Sequence, residues 1–428
     1  MRAINKEQVN NVLTWITLIV LLQAAWCVLI YLRGGLNEYI PAALISVFIS
    51  ITVLIFAGYY RADFRFFVVA LILLSMGNVM QNLVAVQNMF RFAIIEFAAF
   101  IIGSIVAAVM VRFSSAVSIR RQKTCIWIFL FILFAVLAVF GKSTYGTKAW
   151  ISIAGVSFQV TEVIKVLVIY YFGLVMSGDD EETRKFISCL VMLGVNGIFF
   201  AVIREFGTLI VLMVILLLLS WMFFEKMRYC ILSCFFIVVA GSAGLFASYN
   251  MNLLVQKGAA NKWIVFGASI WKKLTDRLQL LTALDKVDPY SVGYQSITAR
   301  KAMNLGGWFG NIYDVKIPVA DSDYVYTALI MHMGFVMAVL VLILFLCLLV
   351  SGVQISLREM KSRKRYIATG FVLVIFVQSV LTIFGSTNFF FLMGMPIAFL
   401  SSGGSNQLCV FTMMMFLLFS GKKNRDNN

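Results

Sequence analysis

Residues 317–350 read IPVADSDYVYTALIMHMGFVMAVLVLILFLCLLV, a short polar opening followed by a long apolar run. The run from Tyr324 onward exceeds the roughly 20 apolar residues that a helix needs to cross a bilayer. Acidic residues are scarce, since the 428-residue chain holds 19 Asp and Glu and is 62% hydrophobic. A charge beside hydrocarbon is expensive and usually functional. Asp323, at the mouth of this span, is therefore the candidate centre of the chemistry.

Similar apolar windows recur along the whole chain and predict about twelve transmembrane helices. The predicted spans are roughly 11–32, 39–58, 65–85, 92–112, 124–141, 159–177, 186–203, 207–224, 229–249, 324–350, 367–386 and 395–420. Only four prolines occur, which suits long uninterrupted helices. The pattern predicts an all-α polytopic membrane protein, with residues 1–428 forming a single integral-membrane domain.

The net charge of +16 is distributed unevenly over the predicted loops. With the N-terminus inside, more than half of the 35 Lys and Arg fall on the inner segments, which is the positive-inside pattern. The charge therefore predicts that both termini are cytoplasmic, and it gives no support for a nucleic-acid partner. The basic run 358–365 is predicted to contact anionic membrane lipids.

The longest connection, residues 250–322, lies on the predicted outer face between spans nine and ten. Residues 263–273 are amphipathic and predict a helix lying in the interface, and 277–284 predict a second short helix. A turn is predicted at Asp288-Pro289. Long connections are usually functional or disordered. Because this one is rich in Trp, Tyr and Gly, we expect a folded, substrate-facing segment.

Glu162 and Lys165 lie just inside the sixth predicted span. Their spacing of three places both on one helix face, where they can form an ion pair. Such a pair should face the protein interior or a wet cavity. Two interpretations stay open: a packing pair that fixes helix register, or a polar lining under a substrate site.

The segment around this pair resembles a motif of the SEDS proteins (shape, elongation, division and sporulation), such as FtsW, RodA and SpoVE. Their outer loop carries Asn-Gly-Ala-x-Arg-Trp-Ile, followed by Phe-Gln-Pro-Ser-Glu-x-x-Lys. This sequence keeps Gly146, Trp150, Ile151, Phe158, Gln159, Glu162 and Lys165. Ala149 replaces the motif's Arg, with Lys148 next to it, and Val160-Thr161 replace Pro-Ser.

Four further blocks are similar to SEDS motifs, in the same order. Residues 204–208, REFGT, resemble Pro-Asp-Leu-Gly-Thr, and residues 293–310 resemble the Gly-Tyr-Gln…Gly-Gly-x-x-Gly block without its Gln-Ser pair. Residues 317–324 resemble Leu-Pro-Glu-Ala-His-Thr-Asp-Phe, and residues 394–405 resemble Gly-x-Pro-Leu-Pro-Phe-Ile-Ser-Tyr-Gly-Gly-Ser. The family's Glu-Glu pair after the catalytic Asp is Met331-His332 here.

The resemblance covers about residues 120–420, which are predicted to form a SEDS-like core. SEDS proteins usually have ten spans, so residues 1–120 are predicted to include an additional N-terminal pair.

The resemblance implies a glycosyltransferase that polymerises lipid II, with undecaprenyl diphosphate as leaving group, in a bacterial cell membrane. It also implies a class B penicillin-binding protein, a transpeptidase, as partner. Asp323 would be the catalytic base. The predicted substrate-binding residues are Lys148, Trp150, Gln159, Glu162, Lys165, Arg277, Ser401, Gly403 and Gly404. No cofactor is required by these residues, and a divalent cation, Mg²⁺ or Mn²⁺, is left open.

Structural interpretations compete with the functional ones. Asp321, Ser322 and Asp323 are good helix caps, and Ser401 to Gly404 suit a helix start. His332, the only histidine, is expected to be a buried structural residue, and Glu96 to reach outward towards the interface.

Two other functions also stay open. One is a flippase for a lipid-linked precursor, and the other is an inactive SEDS homologue that scaffolds its transpeptidase.

Overall fold

The structure is a computed structural model that describes residues 6–85, 88–144, 147–153, 156–259, 261–282, 293–311, 315–360 and 362–421. This part of the chain forms fourteen helices and three short strands. The helices are α1 Lys6–Leu32, α2 Leu36–Tyr60, α3 Phe64–Ala85, α4 Met89–Ala116, α5 Ile119–Phe140, α6 Val160–Met176, α7 Glu182–Ile203, α8 Phe206–Phe223, α9 Arg228–Gln256, α10 Lys262–Thr282, α11 Tyr294–Gly306, α12 Val325–Glu359, α13 Ser362–Ser386 and α14 Gly404–Ser420. The strands are β1 Lys142–Thr144, β2 Thr147–Ile153 and β3 Val156–Gln159.

The prediction of an all-α polytopic membrane fold is confirmed. Ten helices of the described chain are long and apolar enough to cross a bilayer. The predicted sixth and last spans correspond to α6 and α14, which have 17 residues each. The predicted start of the last span at 395 is wrong, because α14 begins only at Gly404. Residues 394–403 form an irregular segment instead, in which Gly394 and Phe399 both have φ of 65°.

The outer segment differs from its prediction in one respect. Two short helices were expected at 263–273 and 277–284, but α10 is a single helix from Lys262 to Thr282. No Gly or Pro separates Lys272 from Arg277, so nothing interrupts the backbone hydrogen bonds there. The helix α10 packs along the C-terminal end of α9, where the rings of Tyr249 and Trp271 lie 5.0 Å apart. Residues 283–292, including the predicted turn at 288–289, lie outside the described part.

The loop after α5 is a small antiparallel sheet in the order β1-β2-β3. Trp150 is paired with Gln159 across β2 and β3, and with Lys142 across β1 and β2. This register places the Trp and Gln of the first motif side by side, directly before α6 begins.

The helices differ widely in burial. In their most apolar stretches, α3 and α13 are each 78% buried, whereas α9 is 6% buried. The helices α6 and α14 are buried along nearly their whole length. The protein core therefore lies among α3, α6, α13 and α14, and α9 lies at the periphery.

The helix α12 is interrupted at Gly334, whose φ of 85° and ψ of 173° are not helical. The N–H groups of Phe335 and Val336, which an interrupted helix would leave unpaired, donate to the carbonyls of Gly307 and Trp308 at 3.0 and 3.2 Å. The loop after α11 thus closes the break, as membrane-buried backbone requires.

Candidate functional site

A cavity of about 360 Å³ opens where the sheet, α10 and the irregular 394–403 segment meet. Its walls combine residues from five of the motif blocks with residues of α10. The lining residues are Thr147, Trp150, Ser157, Gln159, Arg204, Glu205, Phe206, Gly207, Lys273, Arg277, Gln295, Val319, Ser322, Asp323, Leu392, Met393, Gly394, Pro396, Gly403 and Ser405.

The turn that carries Asp323 is held from two sides. The backbone carbonyl of Asp321 accepts hydrogen bonds from Gln81 Nε2 at 2.8 Å and from the Ser402 N–H at 2.9 Å. Ser401 Oγ donates to the carbonyl of Ser322 at 2.7 Å, and Ser402 Oγ bonds the Asp321 carboxylate at 2.9 Å. Asp323 is therefore positioned by α3 and by the 394–403 segment together.

The helix α3 approaches this segment closely. A Cβ at Gly77 would lie 2.1 Å from the carbonyl oxygen of Phe399, so only Gly fits there. One turn later, Gln81 Nε2 also donates to the carbonyl of Leu400 at 2.9 Å. One face of α3, with Gly77 and Gln81, thus holds both the turn before Asp323 and the 394–403 segment in place.

The expected capping role of Asp321, Ser322 and Asp323 is not observed at α12. The N-cap is Tyr324, and it has no side-chain capping hydrogen bond. The Asp323 carboxylate instead faces the cavity, 3.6 Å from where a Cβ of Gly394 would stand.

Burial raises the pKa of the half-buried Asp323 carboxyl from its ordinary value of 3.8 to about 6. A hydrogen bond from Ser322 and the charge of Arg277 act in the opposite direction, whereas the charge of Asp321 adds to the rise. A carboxylate with such a pKa can accept a proton near neutral pH, as a general base must.

Three cations share the cavity with Asp323. Lys273 and Arg277 lie one turn apart on α10, and Arg204 is the residue that ends α7. Lys273 Nζ donates to the Arg204 carbonyl at 3.2 Å, and the Arg204 guanidinium carbon lies 4.8 Å from the centre of the Phe266 ring. Burial and the charges of Arg277 and Arg204 together lower the pKa of Lys273 to about 8, against the effect of Glu205.

Glu205 is a second carboxylate in the cavity wall. It is 6% exposed and precedes α8, where its Oε1 accepts a hydrogen bond from Thr208 Oγ1 at 3.2 Å. Burial raises its pKa to about 7, whereas the Thr208 hydrogen bond and the charges of Lys273 and Arg277 lower it. Sequence reasoning matched this residue to a motif Asp but did not propose it as a site residue.

The predicted ion pair lies under the cavity. Lys165 Nζ is 2.7 Å from Glu162 Oε2, and both side chains are at most 1% exposed. Lys165 also donates to Gln378 Oε1, and Gln378 Nε2 donates to the Pro396 carbonyl at 2.9 Å and to Asn406 Oδ1 at 3.2 Å. The pair is confirmed, and through Gln378 it connects α6 with α13 and with the cavity wall.

The structure divides the other predicted site residues. Trp150, Gln159, Arg277 and Gly403 line the cavity with Asp323. Lys148, Glu162, Lys165, Ser401 and Gly404 do not.

Three of the residues outside the cavity lining depart from their prediction. Lys148 points out from β2 and is exposed. Ser401 is buried, and its Oγ is occupied by the Ser322 carbonyl and the Ile397 N–H. A Cβ at Gly404 would lie 2.8 Å from Ile95 Cγ2, so this residue packs against α4. The interpretation of 401–404 as a helix start fits these contacts better.

Glu96 and His332 lie away from the cavity. The expectation that Glu96 reaches outward is wrong, because it is fully buried and accepts a hydrogen bond from Asn78 Nδ2 at 3.2 Å. The hydrogen bond from Asn78 accounts for the inward position of the Glu96 carboxyl group. His332 is buried, as predicted, at 7% exposure.

Metal binding by protein ligands alone does not fit the described residues. Among them, no three His, Cys, Asp or Glu side chains are grouped closely enough to hold a metal ion. The two cavity carboxylates instead share their surroundings with three cations.

Comparison with known proteins places the chain among relatives. The pattern of the FtsW/RodA/SpoVE family, described as "Cell cycle protein", matches residues 61–425. A probable peptidoglycan glycosyltransferase FtsW of Legionella pneumophila is 21% identical over 381 residues, which cover 85% of this chain and 90% of the relative. The FtsW of Enterococcus hirae, with the same description, is 25% identical over 299 residues, which cover 68% of this chain and 72% of the relative.

Solved structures share the fold. A chain from a structure described as "Structural coordination of polymerization and crosslinking by a peptidoglycan synthase complex" matches with a TM-score of 0.64 and 16% identity, covering 83% of this chain and 96% of that one. The rod shape determining protein RodA of Thermus thermophilus matches with a TM-score of 0.53 and 16% identity. The match covers 83% of this chain and 95% of that one. With the family match over most of its length, this multi-pass membrane protein belongs to the FtsW/RodA/SpoVE family.

Proposed function

We propose that the chain is a peptidoglycan glycosyltransferase that polymerises lipid II into glycan strands. Family membership and the names of the relatives support the reaction class. The observation that carries the proposal is the Asp323 carboxylate, which lies in one cavity with three cations. A base and a positively charged site for a leaving diphosphate are the two elements that this reaction needs.

In the proposed step, a sugar hydroxyl oxygen attacks C1 of the donor sugar. The bond from C1 to the diphosphate oxygen breaks, and its electron pair leaves with undecaprenyl diphosphate. Asp323 accepts the proton of the attacking hydroxyl. The ion pair of Glu162 and Lys165 supports the cavity from below, because it fixes Gln378 and, through it, the backbone at Pro396.

We assign a transpeptidase of the class B penicillin-binding type as partner. The similar fold in a peptidoglycan synthase complex, whose description joins polymerization with crosslinking, supports this assignment. The membrane is a bacterial cell membrane, with both termini on the cytoplasmic side and the cavity facing outward. The positive-inside pattern supports this orientation.

The decisive experiment supplies lipid II to the purified protein, with its partner, and resolves the products on a gel. Glycan polymer is expected from the wild-type protein and not from the Asp323→Asn variant. If the wild-type protein makes no polymer although it binds its partner, it is a scaffold and the proposal is wrong. Movement of labelled lipid II across vesicles without polymer would indicate a flippase.

A further inference from the structure

We propose that Arg204, together with Lys273 and Arg277, forms the site that holds the diphosphate of the lipid-linked sugar. The inference rests on the proposed function for the identity of the anion. It assigns a ligand to two residues, Arg204 and Lys273, that sequence reasoning left without a role.

The motif departures motivate the assignment. At 149 the chain has Ala where the related motif has Arg, and at 204 it has Arg where the related motif has Pro. Ala149 is fully buried and does not line the cavity, and the neighbouring Lys148 is exposed outside it. Arg204, in contrast, lies in the cavity wall. The chain thus has a cavity-lining arginine at a position where the related motif has none.

The three cations repel one another, and a bound anion would offset the free-energy cost of this repulsion. Like charges one helical turn apart, as Lys273 and Arg277 are on α10, repel each other. The Arg204 guanidinium is held near the Phe266 ring, and the Arg204 carbonyl accepts a hydrogen bond from Lys273 Nζ at 3.2 Å. Glu205, the neighbour of Arg204, has a pKa that burial raises to about 7, so this acid only partly neutralises the three charges.

The backbone conformation of Arg204 is one that an arginine rarely adopts, which suggests that its side chain has a function. Its φ of 60° is left-handed, a conformation in which helix ends usually carry Gly or Asn. Arg61, which ends α2, has a similar φ of 53° but is exposed and lies outside the cavity lining. Arg61 therefore offers a control with the same backbone conformation and no access to the proposed site.

The test measures binding of undecaprenyl diphosphate to the full-length protein in detergent. Undecaprenyl monophosphate and inorganic diphosphate are measured in parallel, to separate the contribution of the tail from that of the headgroup. The variants are Arg204→Gln and Lys273→Gln, and the matched controls are Arg61→Gln and Lys272→Gln. Lys272 is the exposed neighbour of Lys273 on the same helix.

Loss of one charged hydrogen-bond donor should weaken binding of undecaprenyl diphosphate about ten- to one-hundred-fold in both variants. The same variants should lose less affinity for the monophosphate. Both control variants should bind undecaprenyl diphosphate within about two-fold of the wild-type affinity. Arg204→Lys should retain most of the affinity, since point charges also bind phosphate. Equal affinity of wild-type protein and Arg204→Gln, or an equal loss in Arg61→Gln, would overturn the assignment.

The result separates this inference from the proposed function. If the wild-type protein polymerises lipid II and Arg204→Gln binds undecaprenyl diphosphate normally, the function stands and the site is wrong. If the wild-type protein makes no polymer, but the Arg204→Gln substitution weakens binding of undecaprenyl diphosphate, the site stands and the function is wrong. Absence of measurable binding by the wild-type protein contradicts the site directly.

Discussion

The helices α3 and α9 are both apolar enough to cross a membrane, yet they lie in opposite surroundings. The most apolar stretch of α3 has a mean hydropathy of 1.8 and is 78% buried, whereas that of α9 has 2.3 and is 6% buried. The less hydrophobic helix is thus the one inside the protein. It carries four buried polar residues in its second half, Ser75, Asn78, Gln81 and Asn82.

The difference shows that hydropathy finds the spans but does not order them from core to periphery. Lipid tails are as apolar as Leu, so an apolar side chain gains little by leaving lipid for protein. A polar side chain gains much, because lipid offers it no hydrogen-bond partner. The polar content of a span is therefore the better guide to its closeness to the cavity.

The sharpest contrast between the two regions should be in activity. Replacing Asp323, on the turn that α3 holds, by Asn keeps its size but removes the base. Polymerisation should fall by about two to four orders of magnitude, measured as glycan formed from lipid II. Asp276→Asn, an acid on the helix that packs against α9, should stay within about two-fold. Near wild-type activity of Asp323→Asn would rule out its role as base.

The buried ion pair gives the second contrast. Lys165→Met leaves Glu162 charged and unpaired in the core and should lower the free energy of unfolding by about 3–5 kcal/mol. The double variant Glu162→Gln/Lys165→Met should lose less, as a double-mutant cycle in detergent can show. Lys257→Met, at the exposed end of α9, is the matched control with little expected effect. Strictly additive losses would contradict the interaction.

Apolar truncations compare packing in the two helices directly. Leu73 on α3 is fully buried, and Leu232 on α9 is 45% exposed. Leu73→Ala should destabilise the protein by about 2–5 kcal/mol through the cavity it leaves. Leu232→Ala should change stability by about 0.5 kcal/mol or less. Equal shifts of the thermal unfolding midpoint would show that α9 is covered as tightly as α3.

Amide side chains sharpen the comparison further. Gln81 joins α3 to two backbone carbonyls of the cavity wall, whereas Asn250 on α9 bonds only its own helix, at the Phe246 carbonyl. Gln81→Ala should cost about 1–3 kcal/mol of stability and should lower the polymerisation rate, because the Asp323 turn loses a support. Asn250→Ala should do neither. A Gln81→Ala protein that is destabilised but fully active would show that the support is not needed for catalysis.

The pH dependence is the mildest expected effect. With the pKa of Asp323 near 6, its basic form is lost below that pH, so activity should fall about ten-fold per pH unit there. Stability should change in the opposite direction. Because the folded pKa is raised, the stabilising contribution is complete below about 3.8 and is lost as the pH rises through about 6. A rate that stays constant between pH 7 and 5 would contradict the raised pKa.

Much of the architecture could be predicted from the sequence, because long apolar windows leave a chain few choices in a membrane. The spacing of Glu162 and Lys165 also predicted their contact, since residues three apart share a helix face. The irregular segment before α14 could not be predicted in this way. Gly394, Pro396 and the run from Ser401 to Gly404 disfavour a helix there, but the shape of the segment depends on Gly77 and Gln81 of a distant helix.

The cavity was predicted only in part for the same reason. Motif positions indicated Trp150, Gln159, Gly403 and Asp323, and its positive charge indicated Arg277; all five line the cavity. Residues brought in by tertiary contacts gave no local signal: Gln378 meets Lys165 across 213 positions of sequence, and Gln81 meets Asp321 across 240. Glu205 carried a signal in retrospect, as an acid between two spans in a chain with few acids, whereas Lys273 is one of 35 Lys and Arg and carried none.

The break at Gly334 determines how mechanical force can travel through the molecule. The piece of α12 that follows Asp323 ends there, and the loop after α11 bonds to both sides of the break, through Met331 as well as through Phe335 and Val336. A pull on the C-terminal end of α12 therefore reaches Asp323 through the backbone at Gly334 and those loop hydrogen bonds, and not through a continuous helix. A push on the loop after α11 acts on the piece of α12 next to Asp323, through the hydrogen bond from Asn311 to Met331. The Asp323 turn is thus coupled more closely to the loop after α11 than to the C-terminal piece of α12.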